Sequence, residues 1–421
     1  MKILIVSDSF YPNATMNGIV AKNLVDEINK NGENNVTILT YLNPEKVPKN
    51  YNNSKIYYVK HPYFYNNYKY RKLIFTSKNI LEKNLNKTKL LITRVFSFIF
   101  RNINFLGINK NVSKKICEEL NLIIEKENID TIFLISAPFE IFYSALILKK
   151  SKNKKIKILG HQIDFFITLE DKFYPEFLRK FRKMKRIKML KECNEYFNML
   201  YMLPFVFKKE FKYLERKSHV RECELPLIIK NNFIDRIKSN EKTNNILFTY
   251  TGSLDLKERP PVEIIELFNK INEKNNVKLC FYHKGNCHSI IASYSTKYKG
   301  LIEDYGNQSV DICYQAMAKS DFLISIGTIT GNQIAGKTYD YISTGKPIIY
   351  FYFNDYDLNK NYFLDYPLAL CVQLKDELQN INILKIKDFI NKTKGKFLSF
   401  EEIEKKYTNN LPSTIVKKIF K

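Results

Sequence analysis

Residues 331–347 read GNQIAGKTYDYISTGKP, and their chemistry depends on which half is read. The first eight, Gly331 to Thr338, satisfy the phosphate-loop pattern G-x-x-x-x-G-K-[ST]. In that pattern backbone N–H groups cradle phosphates, the lysine meets the terminal phosphates, and the Ser/Thr hydroxyl binds Mg²⁺. The second half offers a different chemistry: Lys337 beside a diphosphate, and Asp340 in the first turns of a helix as an acceptor for ribose hydroxyls. Context decides between them. A phosphate-loop helix runs for several turns, whereas Gly345-Lys346-Pro347 stops this one by about Thr344. Too few residues follow Thr338 to build a downstream parallel sheet, and parallel-type elements already precede the motif. Asp355, the acid after the next strand, sits in an aromatic loop. The P-loop NTPase reading is therefore set aside.

Other polar groups stand directly after apolar runs. Gly252-Ser253 lets backbone approach a phosphate, and the helix opening at Pro260 is expected to offer its N-terminal N–H groups. Lys257, Arg259 and Lys337 are cations that neutralise a departing diphosphate. His283, Cys287 and His288 lack zinc spacing, and no metal is expected there. The seven cysteines are scattered without a C-x-x-C pair, as reduced thiols are.

The elements that must position these groups alternate between strand and helix. Ile3–Val6 reads as a strand, the following IVAKNLVDEINKNG as a helix with apolar residues at 3.6-residue spacing, and NVTILTY as a second strand. IDTIFLIS, KIKILGHQ and YFNMLYML continue a parallel sheet. After the polar run IKSNEKTNN the alternation restarts with ILFTYTGSL, VKLCFYHKGN, LIEDYG, DFLISIG and KPIIYFYF. The helix SVDICYQAMAKS between two of these is expected to be capped by Ser309. The expected organisation is an α/β chain with two Rossmann-like domains, 1–205 and 206–385, and a helical tail, 386–421, packing back on the first. Their sheets would face each other across a cleft, which places ligands at the carboxyl ends of the strands.

Net charge is +25 over 421 residues, and it is clustered. Between Lys69 and Lys115 twelve Lys/Arg face a single acid, Glu82, and between Phe177 and Lys191 eight Lys/Arg face none. Phe177, Leu178, Phe181, Met184, Ile187 and Leu190 form an apolar stripe beside the second cluster, and LLITRVFSFIF lies within the first. Apolar stripes flanked by cations fit an anionic membrane surface. No nucleic-acid module is visible, so nucleic acid is not an expected partner. The start, MKILIVSDSF, reads as a buried strand and not as a signal peptide, and no apolar run reaches membrane-spanning length. The expected location is cytoplasmic, peripheral on the inner face of the plasma membrane.

KILIVSDSF with NGIVAKNLVDEINKNG, FTYTGSLDLKERP and KTYDYISTGKPII, in this order and spacing, resemble the GT-B-fold glycosyltransferases, most closely glycosyltransferase family 4. The resemblance covers nearly the whole chain. It implies a UDP- or GDP-sugar donor, a lipid-linked or polysaccharide acceptor, no metal or other cofactor, and retention at the anomeric carbon. No Asp-x-Asp signature stands among the loop residues, in keeping with metal independence. The resemblance further makes Asp340 the ribose-binding acid, where the family usually has Glu, and aligns Lys337 with the motif's basic residue. Asn332 stands where many members carry a sugar-binding Glu. Asn17-Gly18 partly matches the family's double glycine, making Gly18 a donor-binding position. His161 and Asp164 resemble the polar loop at the reacting sugar and are the candidate catalytic residues. Bacterial surface polysaccharide or lipopolysaccharide synthesis is the implied setting. The alternatives are a non-catalytic GT-B interaction subunit, favoured by Asn332 and Asp340, and a nucleotide-sugar epimerase, which needs more acids and histidines than five histidines suggest.

Overall fold

The computed structural model describes residues 1–12, 14–30, 35–45, 47–136, 138–151, 155–169, 174–230, 245–272, 276–331, 334–375, 377 and 379–420. Asn332 lies outside the described residues, as does most of the polar run before Ile246. The chain divides into two compact units, Met1–Pro226 with Pro412–Lys421, and Leu227–Leu411.

The first unit holds eight strands: β1 (Lys2–Val6), β2 (Asn35–Tyr41), β3 (Asn50–Tyr51), β4 (Ser54–Val59), β5 (Thr131–Ser136), β6 (Lys157–Gln162), β7 (Met199–Met202) and β8 (Val220–Glu222). Their order is β3-β4-β2-β1-β5-β6-β7-β8. All neighbours are parallel except β3 and β4, which form a hairpin. Asn52 and Asn53 turn that hairpin with φ of 43° and 62°, the left-handed pair that a two-residue turn requires. The central strands are continuous apolar runs because helices cover both faces; Ile3, Leu4 and Ile5 have no exposed surface. The helices are α1 (Met16–Asn29), α2 (Pro62–Thr76), α3 (Ile80–Asn102), α4 (Lys110–Glu127), α5 (Glu140–Ser151), α6 (Glu176–Tyr196) and α7 (Pro204–Glu210). Residues 206–226 stay with this unit because β8 pairs with β7. Of the tail, only the helix Pro412–Phe420 belongs here: it packs on α1, and the Tyr201 hydroxyl donates to Lys418 O at 3.1 Å.

α6 differs from the stripe read in the sequence. Leu190 enters the core with Met189 and Cys193, while Phe177, Phe181 and Met184 stay exposed. Two of its cations are buried instead: Arg186 donates to Leu106 O at 3.3 Å, and the Arg182 guanidinium lies 4.3 Å above the Tyr174 ring. Loop carbonyls and an aromatic face replace the solvent these arginines lose.

The second unit is a six-stranded, all-parallel sheet in the order β11-β10-β9-β12-β13-β14. Its strands are β9 (Ile246–Leu254), β10 (Val277–Gly285), β11 (Ile302–Gly306), β12 (Phe322–Ile326), β13 (Ile348–Tyr352) and β14 (Ala369–Gln373). Parallel pairing puts every strand's carboxyl end on one edge, so the polar loops of the motifs collect there. Ser309 caps its helix by accepting from Ile312 N, as expected. The short helix Gly336–Ser343 ends at Gly345, whose φ is 73°. A Cβ on Gly345 would stand 2.1 Å from Leu398 O, so the turn admits only glycine.

Gly345→Ala should lower stability in urea, followed by circular dichroism, by about 1–3 kcal/mol from backbone strain plus the clash. Gly395 has a similar φ of 76° with nothing within 4 Å, so Gly395→Ala should cost less; equal losses would show that the Leu398 contact does not matter.

Candidate functional site

The second unit collects its candidates at the ends of β9 and β12. The hydroxyl of buried Tyr341 accepts from Thr251 N at 2.7 Å and lies 3.2 Å from Thr251 O, locking the helix Gly336–Ser343 to the end of β9. Lys337 and Asp340 are thus on a helix tied to β9, whose end holds Gly252 and Ser253, paired with His283 and Lys284 of β10; these two residues are strand, not the loop expected from the sequence. Lys337 Nζ is 3.0 Å from Asp340 Oδ2 and 5.2 Å from the Tyr314 ring centroid, and the Tyr314 hydroxyl donates to Asp340 Oδ1 at 3.1 Å. Burial, and then the Asp340 charge, push the Tyr314 phenol far above its ordinary range, so it remains a donor. The two charges satisfy each other, half-buried; a ligand that uses both must open this pair.

The phosphate-loop reading fails on hydrogen bonds. Gly331 N donates to Thr328 O at 3.0 Å, and Ala335 N donates to Asn359 Oδ1 at 2.7 Å. The Thr338 hydroxyl, fully buried, donates to the same Asn359 oxygen at 3.1 Å and does not face a metal-bound phosphate. Lys346 is likewise structural: its ammonium donates to Ser320 O at 2.5 Å, and burial lowers its pKa.

After Ser253 the chain makes a tight turn. Asp255 and Arg259 bridge through their backbones, and the Asp255 carboxylate accepts from Lys257 N at 2.9 Å and Glu258 N at 3.1 Å. Lys257 is thereby presented, exposed, at the tip. Arg259 is held beneath, with Nη1 donating to Ser253 O at 3.1 Å. The expectation of a helix N-terminus at Pro260 needs correction. The helix begins at Val262 behind two prolines that carry no N–H, and Glu263 occupies its first turn. The first-turn N–H groups therefore belong to Val262, Glu263 and Ile264, and the Glu263 carboxylate disfavours an anion beside them.

In the first unit Gly18 lies inside α1, where a Cβ would stand 2.8 Å from Ser9 O. Its role is to let the helix approach the loop after β1. That loop holds a residue the sequence reading missed. Asp8 lines a cavity of about 370 Å³ with Ser9, Thr15, Tyr41, Tyr63 and Arg71. Burial raises its carboxyl to about 6, against hydrogen bonds from Ser9 and Thr15 hydroxyls at 3.2 and 3.3 Å that favour the anion. A carboxyl poised there exchanges protons near neutral pH. A lone Asp after a strand has no pattern; its enclosure comes from residues far along the chain.

His161 requires a correction. It is fully enclosed in β6 with Nε2 3.1 Å from Cys223 O, and burial lowers its pKa to about 4. Its Nε2 is occupied by a backbone carbonyl and its Nδ1 is buried without a hydrogen-bond partner, so the imidazole is sealed from any substrate in this arrangement. Asp164, two residues beyond β6, is exposed; the surrounding protein still raises its carboxyl. Its loop is organised by Glu210, also unread in the sequence. This buried carboxylate accepts from Gln162 Nε2 at 2.7 Å, Phe166 N at 3.0 Å, and Thr168 N and Oγ1 at 2.8 and 3.0 Å.

No family model and no curated protein matches the chain. Among solved structures it is similar to sucrose-phosphate synthase from Thermosynechococcus elongatus, with a TM-score of 0.58 and 11% identity over 100% of this chain and 94% of that one. It is also similar to Anabaena HepE in complex with UDP, with a TM-score of 0.54 and 10% identity over 100% and 96%. UDP-GlcNAc 2-epimerase from Methanocaldococcus jannaschii gives 0.54 and 10% over 99% of each chain. Such likeness, spanning both units at low identity, establishes the architecture. This is the GT-B fold. The GT-B neighbours include a synthase and an epimerase, so the fold alone does not choose the reaction.

Asp8 generates a pH prediction. Its folded-state pKa of about 6 lies above the 3.8 of an unperturbed Asp, so its contribution to stability is fully present below 3.8 and lost as pH rises through about 6. Asp8→Asn should match wild type near pH 4 and exceed it by about 1–3 kcal/mol at pH 8 in urea unfolding. An equal offset at both pH values would contradict the raised pKa.

Proposed function

We propose that the chain is a glycosyltransferase that moves a sugar from a nucleoside-diphosphate sugar to a saccharide or lipid-linked acceptor. The observation that carries this reading is the Tyr341–Thr251 lock, which joins the helix of Lys337 and Asp340 to the end of β9, with Gly252 and Ser253, and so to the turn of Lys257 that follows. In this reading Asp340 accepts from ribose hydroxyls once its pair with Lys337 opens. Lys337 and Lys257 neutralise the diphosphate as the glycosidic bond breaks, and the close backbone at Gly252-Ser253 admits a phosphate. UDP or GDP is the expected leaving group, with no metal required for its departure. Nothing in this division of roles uses a γ-phosphate.

The resemblance implies retention, which needs no dedicated base. Asp8 favours a second stereochemical outcome: as a carboxylate it takes the proton of the acceptor hydroxyl, and the anomeric centre inverts. Asp164, exposed on the loop held by Glu210, then orients the acceptor.

A lipid-linked acceptor at an anionic membrane, as in surface polysaccharide or lipopolysaccharide synthesis, agrees with the first unit's surface. α3 leaves Leu85, Ile92, Phe96 and Ile99 exposed beside Lys83, Lys87, Lys89 and Arg94. A groove of about 530 Å³ between α2, α3 and the start of α4 is lined by Tyr70, Ile92, Phe96, Phe100, Lys89 and Lys115. Among the described residues no helix is long and apolar enough to cross a membrane. Contact through α3 would therefore be interfacial.

In calorimetric titrations with UDP- and GDP-sugars, Lys337→Ala and Asp340→Ala should each weaken binding about tenfold or more, and Asp340→Ala should lose most of the preference for ribose over deoxyribose. Binding of ATP-Mg alone would overturn the reading. Conversion of the nucleotide sugar without any acceptor would identify an epimerase. With acceptor present, Asp8→Asn should lower kcat by about 10²-fold or more, with an inverted anomer by NMR; near-normal turnover would remove Asp8 as the base. Vesicles containing anionic lipid should sediment the protein while neutral vesicles do not, and Phe96→Ser with Ile99→Ser should release it. Equal sedimentation of the variant would place membrane contact elsewhere.

A further inference from the structure

The spacing of His283, Cys287 and His288 argues against a metal in the sequence, but the fold replaces the cysteine with a different ligand. Cys287 turns inward, fully buried, with its thiol 3.6 Å from Asn286 Oδ1. Asp304 takes its place. β11 pairs with β10 through a register shift after Phe281, opposing Phe281 to Asp304 and Tyr282 to Gly306. This irregularity re-aims the strand end and brings the Asp304 carboxylate against both imidazoles.

Three separate elements thus converge: His283 at the end of β10, His288 as the first residue of the helix His288–Lys297, and Asp304 in β11. One donor atom from each lies within 4.8 Å of the others. Asp304 Oδ1 is 3.1 Å from His283 Nε2 and accepts from Gly306 N at 2.9 Å, which fixes the carboxylate. Asp304 Oδ2 is 2.7 Å from His288 Nδ1 yet out of line for a hydrogen bond, which leaves a buried carboxylate oxygen without a hydrogen-bond donor. A nitrogen and a buried carboxylate oxygen this close, with no hydrogen bond between them, can both turn to a common cation.

We infer that His283, His288 and Asp304 form a binding site for one first-row divalent transition metal, zinc being the best match. Two imidazoles and a carboxylate are the donor types that zinc takes at 2.0–2.2 Å, and three protein ligands leave a fourth position for water. Donors on a tetrahedral zinc stand roughly 3.3 Å apart at these bond lengths, so the pairs at 3.1 and 2.7 Å must open slightly to admit the ion. His288, 72% exposed at the start of its helix, has the freedom to make that adjustment. His283 and Asp304, only 2% and 9% exposed, form the fixed part. The site would join β10, β11 and the helix between them at the carboxyl edge of the second sheet, where His283 is in register with Gly252. It does not depend on the proposed transferase activity.

The test uses tag-free, full-length protein stripped with a chelator and dialysed. Zn²⁺ is titrated in competition with a chromophoric chelator, and Co²⁺ is added separately to read its visible spectrum. One equivalent should bind, the Co²⁺ spectrum should be tetrahedral, and thermal stability should rise with metal. His288→Ala, an exposed change that the fold tolerates, and Asp304→Asn, which keeps the side-chain shape, should each weaken binding by at least about tenfold. Cys287→Ser should leave it unchanged. Absence of binding to wild type, wild-type affinity in His288→Ala, or loss of binding in Cys287→Ser would each overturn the assignment.

Discussion

Much of the second unit's edge depends on one buried hydroxyl. Tyr341 bonds both the N–H and the C=O side of Thr251, and both residues are buried. Orphaning such buried groups costs about 1–3 kcal/mol. Its structural effect is larger than that figure implies, because the helix it holds is only eight residues long and lacks a side-chain cap at Ala335. A helix this short has little independent stability, and tertiary contacts set its position. Tyr341 fixes its middle, the Gly345–Leu398 turn fixes its end, and Asn359 holds its beginning through Ala335 N and Thr338 Oγ1.

This arrangement explains why the same string carries two readings. The residues that a phosphate loop would turn toward a triphosphate are here consumed internally: Gly331 on Thr328, Ala335 and Thr338 on Asn359. Lys346 is spent on Ser320. What remains available at the surface is the half-buried Lys337–Asp340 pair and the exposed Lys257. Opposite charges held 3.0 Å apart satisfy each other, and in the proposed function a diphosphate would draw the lysine while a ribose draws the carboxylate.

The architecture was legible wherever burial leaves a one-dimensional trace. ILFTYTGSL, DFLISIG and KPIIYFYF are strands because a sheet covered on both faces demands unbroken apolar runs, and the structure places β9, β12 and β13 in them. The β3–β4 hairpin was not legible, since its signal is two asparagines within a polar stretch. Single polar side chains were less legible still. His161 and Asp164 are three residues apart, yet one is sealed in a strand and the other open on a loop, and only the point where β6 ends separates them. Asp8 and Glu210 owe their character to enclosure by distant residues. Asp304 meets His283 across 21 positions through a strand pairing that no local spacing announces.

The central claim is that the second unit's carboxyl edge holds a nucleoside diphosphate, and a crystal structure of the protein with UDP or GDP tests it most directly. The account predicts the diphosphate against Gly252-Ser253 within reach of Lys337, and the ribose hydroxyls on Asp340, with the Lys337–Asp340 pair opened. A nucleotide whose phosphates lie instead along the backbone of residues 331–338, with Thr338 turned out from Asn359, would contradict it.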